Sequence, residues 1–90
     1  MARAPIGVIV KDEPDGWTAT VTVNDTVTTV HRVRISHAEH ERFGGGDVTD
    51  LVRSSFGFLL AREPNTSILR EFSLSDIERY FPEYPKNIRG

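Results

Sequence analysis

The apolar residues of this chain change their period partway along, and that change dictates the architecture. Between residues 17 and 23 they fall on every second position: Trp17, Ala19, Val21 and Val23, with Thr18, Thr20 and Thr22 between them. Val27, His31, Val33 and Ile35 continue the same rhythm. Successive side chains of a strand point to opposite faces, so this pattern predicts two half-buried strands rich in β-branched residues. From residue 48 the period lengthens. Val48, Leu51, Val52, Phe56, Leu59 and Leu60 sit three and four residues apart, one stripe of an amphipathic helix with Phe56 in its middle. Strands first and helices second is the order of an α+β domain.

The punctuation fills in the elements. A first strand is expected over Ile6–Lys11. The turn Glu13-Pro14-Asp15-Gly16 follows, with proline and glycine where a tight turn needs them. A three-residue loop, Asn24-Asp25-Thr26, would set Val23 opposite Val27 and keep both apolar sets on one side. A two-residue loop would split them, because a one-residue slip reverses every side chain. The expectation is therefore a three-stranded antiparallel meander whose outer face shows the threonines, Thr28, Val30, Arg32 and Arg34. Ser36 and Glu39 form the pattern of a capping box and predict a short helix over His37–Phe43, ended by Gly44-Gly45-Gly46. The long helix starts at an Asp47 or Thr49 cap and ends near Arg62, ahead of Pro64. A single turn is expected around Ser67–Arg70. A last helix, Leu74–Phe81, is capped by Ser73 and stapled by Phe72 against Ile77. Three to four helices thus follow the meander. Residues 6–81 form one domain, 1–5 a flexible N-terminus and 82–90 an extended tail kept from helix by Pro82 and Pro85. No repeat stands out.

Composition removes several classes of function. The chain has no cysteine, which excludes disulfides, thiolate metal sites and a cysteine nucleophile. A formal net charge of −2 gives no overall attraction to nucleic acid or to anionic membranes. No segment approaches the roughly 20 apolar residues of a membrane span. The apolar run from Ile6 to Val10 is too short for a signal-peptide core and is followed at once by charge, which points to the cytoplasm.

Several groups of residues are candidate sites. Arg32 and Arg34 share a strand face, and guanidinium forks suit phosphates and guanine edges; a solvated sheet face among threonines is the simpler account. His31, His37, His40 and Glu41 offer metal-ligand chemistry, but no zinc-protease spacing, and a polar helix surface explains them. The three glycines ahead of a helix lack the lysine and hydroxyl of a phosphate loop. Ser54, Ser55, Ser67, Ser73 and Ser75 lie in no nucleophile-elbow context. No cofactor motif is found. The segment Ile68–Tyr84 is rich in large apolar residues; it completes the core, or else presents Tyr80 and Tyr84 as an exposed docking surface, a role tyrosine suits.

Two resemblances accompany this reading. The stretches FLLAREP (58–64), SILREF (67–72) and IERYFPEY (77–84) resemble a pattern shared by a group of short bacterial proteins, FLLxREP, SILRxF and IxRYFPEY. That resemblance implies a small bacterial protein and no particular activity. The order strand, short helix, glycine break, long helix over residues 28–60 is similar to ribbon-helix-helix domains of antitoxins. There, two strands pair across a dimer and read the major groove, which implies outward roles for Val30, Arg32 and Arg34. The expected function is a non-enzymatic accessory or regulatory module that binds another protein or itself. A ribbon-type DNA-binding regulator is the alternative.

Overall fold

Residues 6–89 are described by the computed structural model. Strand β1 (Ile6–Glu13) turns at Pro14-Asp15 into β2 (Gly16–Asn24), which returns through a second hairpin into β3 (Thr28–Ser36). Helix α1 (His37–Arg42) follows directly, then the glycines, then α2 (Val48–Leu60). A 3-10 turn at Asn65–Ser67 leads to β4 (Glu71–Ser73), α3 (Leu74–Tyr80) and α4 (Tyr84–Arg89). The sheet order is β1-β2-β3-β4, antiparallel throughout the meander, with β4 parallel to β3. The α+β class and the strands-then-helices order follow from the change of period.

Alternation does what it predicts. Ala19, Val21, Val23, Val33 and Ile35 are buried on the inner face, together with His31. Each valine and isoleucine among them contributes on the order of 1.5–3 kcal/mol as it leaves water. Leu51, Val52, Phe56 and Leu59 of α2 close over them, and Phe43, Phe72, Leu74, Ile77 and Tyr84 fill the remaining space. The caps expected at α1 and α2 are present: Ser36 accepts from the Glu39 N–H while Glu39 accepts from the Ser36 N–H, and Asp47 accepts from the Asp50 N–H. At α3 the Asp76 carboxylate accepts from the Ser73 N–H at 3.0 Å. The glycine run takes positive φ at all three positions, where any other residue would be strained.

Four expectations need correction. The β2–β3 loop does have three residues, but they are Asp25–Val27, so Val23 faces Thr29 and not Val27. The pairing slides by two residues, which preserves every face and leaves Val27 exposed at the tip. What fixes the register is distant in sequence: the Asn65 amide donates to Val27 O and Thr29 Oγ1, both at 2.8 Å. The meander also gains a fourth strand, since Arg70 O accepts from Arg32 N at 2.7 Å. The turn expected around Ser67–Arg70 accordingly sits earlier. The C-terminal stretch is not an extended tail. Tyr84 N bonds to Phe81 O, and Pro85 falls in the first turn of α4, where a missing N–H costs nothing. Tyr84 is fully buried beneath that turn. The expected N-terminus 1–5 lies outside the described residues.

Contrary to the expectation of no repeat, the fold contains a short internal one. ISHAEHERF (35–43) and FSLSDIERY (72–80) each run from a buried strand residue through a serine cap and an acid three residues on to Glu-Arg and an aromatic. The two strand–helix units lie side by side and parallel. They are tied at intervals: Asn65 to Thr29, Leu69 O to His31, the Ser75 N–H to Glu39, and Arg42 to Glu78.

Candidate functional site

Arg32 and Arg34 project from the outer sheet face, which no helix covers among the described residues. Across that face Ile9, Thr20, Arg32 and Glu71 form one row, and Lys11, Thr18, Arg34 and Ser73 the next. Arg32 lies 3.6 Å from Glu71, an exposed pair that offsets its charge. β3 is hydrogen-bonded on both edges, to β2 and to β4, so it has no free edge with which to build a ribbon across a dimer.

The histidines are dispersed. His31 lies on the inner sheet face, 5.4 Å from the Phe56 ring. It stands in a relay that its neighbours orient. Asn65 donates to Thr29 Oγ1, the hydroxyl donates to His31 Nε2 at 2.9 Å, and His31 Nδ1–H donates to Leu69 O at 2.8 Å. That chain of bonds secures the β2–β3 loop to the segment before β4. His37 and His40 pack against the Trp17 ring at about 5 Å, and His40 Nε2 bonds to Gly46 O. Among the described residues no three His, Asp or Glu side chains are placed to share a metal ion.

The C-terminal ends of parallel strands often present helix N-termini to a ligand. Here that position is filled from within. One carboxylate serves both helices: Glu39 Oε1 accepts from Ser36 N and Oε2 from Ser75 N, each at 2.9 Å. Burial raises its pKa, but these bonds from Ser36 and Ser75 outweigh burial and hold it below the usual carboxylate range.

Tyr84 is not a docking residue. Its ring packs against Phe43 and Phe58, and its hydroxyl lies 2.7 Å from Ser55 Oγ, which donates to Leu51 O. Burial pushes its pKa up to about 12, partly offset by the Ser55 bond and aided by the Glu39 charge. Ser55 is thereby accounted for as a structural hydroxyl.

Tyr80 is different: 69% of it is exposed, and it stands on the lip of a groove of about 330 Å³. The floor is apolar, with Leu59 from the end of α2, Ile68 and Phe72 from the segment through β4, and Ile77 from α3. Leu69, half exposed, forms the opposite lip. The groove exists because β4 is only three residues long and α3 only seven, so the sheet edge at β4 is incompletely covered. Among the described residues its lining includes two carboxylates, Glu63 and Asp76, and no cation. Asp76 is engaged by Ser73 N and Arg79. Glu63 is in no ion pair among the described residues. The sequence pointed to Tyr80, and to Leu69 only as one of the large apolar residues of the Ile68–Tyr84 segment; Glu63 looks like an ordinary surface residue until β4 brings it to the rim. No protein-family model, curated protein or solved structure matches the chain.

Proposed function

We propose that this chain is a non-enzymatic, cytoplasmic interaction module that takes a peptide segment of another protein into the groove beside β4. The reading rests on the groove itself: a preformed apolar floor, two exposed apolar lips and an acidic rim. Apolar clefts with few polar groups are the usual form of binding sites, and exposed aromatic side chains are enriched in interfaces. The chemistry of the rim selects a large apolar side chain flanked by lysine or arginine. Glu63 supplies the charge that is free to meet that cation.

Selection from a displayed random-peptide library tests this. The wild-type protein is expected to enrich peptides in which a Leu, Phe or Trp stands next to Lys or Arg. Leu69→Asp with Tyr80→Ala, checked for folding by circular dichroism, should weaken the selected peptides by at least about tenfold, roughly 1.4 kcal/mol. Glu63→Lys should turn the preference toward acidic neighbours. Enrichment of the same peptides by the folded double variant would refute the assignment.

A further inference from the structure

We propose that a second copy of this chain pairs with the free edge of β1, joining two sheets into one continuous eight-stranded sheet about a two-fold axis.

Among the described residues the edge is open, and its donors are identifiable. Glu13 and Gly16 flank a two-residue turn, so they form a hydrogen-bonded pair, and the odd-numbered residues of β1 bond to β2. The N–H and C=O groups of Val8, Val10 and Asp12 therefore point away from the sheet. Ile6 obeys the same parity: its carbonyl accepts from Arg53 of α2 at 3.0 Å, from outside the sheet. An eight-residue edge strand is long enough to template another strand.

Apolar surface collects at the same edge. Ile6, Val8 and Val10 on the inner face are only half-buried, and Ile9 on the outer face is 73% exposed. Helix α2 lies along β1, and beyond Arg53 its outer flank continues at Gly57, exposed and with open space where a Cβ would stand. Mid-helix glycine costs about 1 kcal/mol relative to alanine, and it permits close approach of another helix.

Charge selects the occupant and the register. Antiparallel self-pairing with Ile9 opposite the partner's Ile9 puts Val8 opposite the partner's Val10 in a hydrogen-bonded pair. It also sets Ile6 opposite the partner's Asp12. Asp12 is in no ion pair among the described residues, and neither is Arg53. Arg53 already reaches Ile6 O, so this register brings it to the partner's Asp12, twice by symmetry. A register displaced by two residues would put Val10 on the axis and separate Asp12 from Arg53. The β1 edge and the groove beside β4 lie at opposite ends of the sheet, so the dimer leaves both grooves open and the two proposals stand independently.

Sedimentation equilibrium and site-directed crosslinking decide the matter. The wild-type protein is expected to sediment at twice the chain mass. The chain has no cysteine, so single thiols report geometry cleanly. Ile9→Cys, a conservative change at an exposed position, should oxidise to a crosslinked dimer, because non-hydrogen-bonded pairs bring Cα atoms to about 4.5 Å. Gly7→Cys and Lys11→Cys should crosslink with each other and not with themselves. Asp12→Arg and Arg53→Asp should each weaken dimerisation by at least about tenfold, and the double reversal should restore it. A monomer at every loading concentration would overturn the proposal and make the charged end of β1 a guard against pairing. So would a dimer that ignores the charge reversals and does not crosslink through residue 9, or assembly into open-ended polymers.

Discussion

The Tyr84 side chain provides the sharpest test of how the C-terminal segment is built in. Its ring is fully buried between Phe43 and Phe58, and its hydroxyl bonds to Ser55. Tyr84→Phe removes one buried neutral hydrogen bond and leaves Ser55 still donating to Leu51 O, so it should cost about 1 kcal/mol. Tyr84→Ala empties the ring volume and should cost roughly 3–5 kcal/mol, a large share of a small domain's stability. At about 4–8 °C per kcal/mol for a domain of this size, the alanine variant should melt at least about 12 °C lower. The phenol adds a pH signature. Its folded pKa of about 12 lies above the ordinary value of 10, so folding favours the protonated form. That contribution is fully present below pH 10 and is lost as the pH rises to about 12. That contribution is on the order of 3 kcal/mol. Urea melts across this range should show wild type losing that increment while Tyr84→Phe does not. An alanine variant that loses less than about 1 kcal/mol with an unchanged m value would refute the packing argument.

Gly16→Ala should abolish folding or nearly so, because at φ +153° the added Cβ runs into the Ile35 carbonyl oxygen; a well-dispersed NMR spectrum of the variant would contradict this. Glu39 has a depressed pKa, so its contribution is present above about 4.5 and disappears as the pH falls through its folded value. Glu39→Gln should therefore flatten the acid limb of the stability profile, measured by thermal melts, and loosen α1 and α3 together. The net charge of −2 opposes polyanion binding, so no sub-micromolar affinity for random-sequence duplex is expected at physiological salt. Fluorescence anisotropy showing such binding, weakened by Arg32→Ala with Arg34→Ala, would reverse that expectation.

Period and capping made the meander, α1, α2 and α3 legible within a residue or two, because each is decided by local chemistry. The inner-face residues followed from parity alone, and a two-residue slide in pairing left them unchanged. What could not be read was non-local. β4 has three residues and no periodicity of its own; it exists because Arg70 O meets Arg32 N. Pro82 and Pro85 suggest an end to helix, yet Pro85 in a first turn is compatible with one, and only the space between Phe43 and Phe58 accounts for a buried Tyr84. Of the groove, Tyr80 was anticipated on its chemistry, whereas Leu69 and Glu63 join it through the path of the chain.

The parallel strand–helix units bear on the kinetics of folding. The ties between them span nearly constant distances along the chain: 36 residues from Asn65 to Thr29, from Ser75 to Glu39 and from Arg42 to Glu78, and 38 from Leu69 to His31. Whichever tie forms first bears the loop-closure entropy, and the others then close short loops at little further cost. The two hairpins, made of local pairings, should form before that first closure, which is the slow step. Residues 65–78 should then attach and detach as one unit, their amide protons exchanging together at a free energy set by that single event.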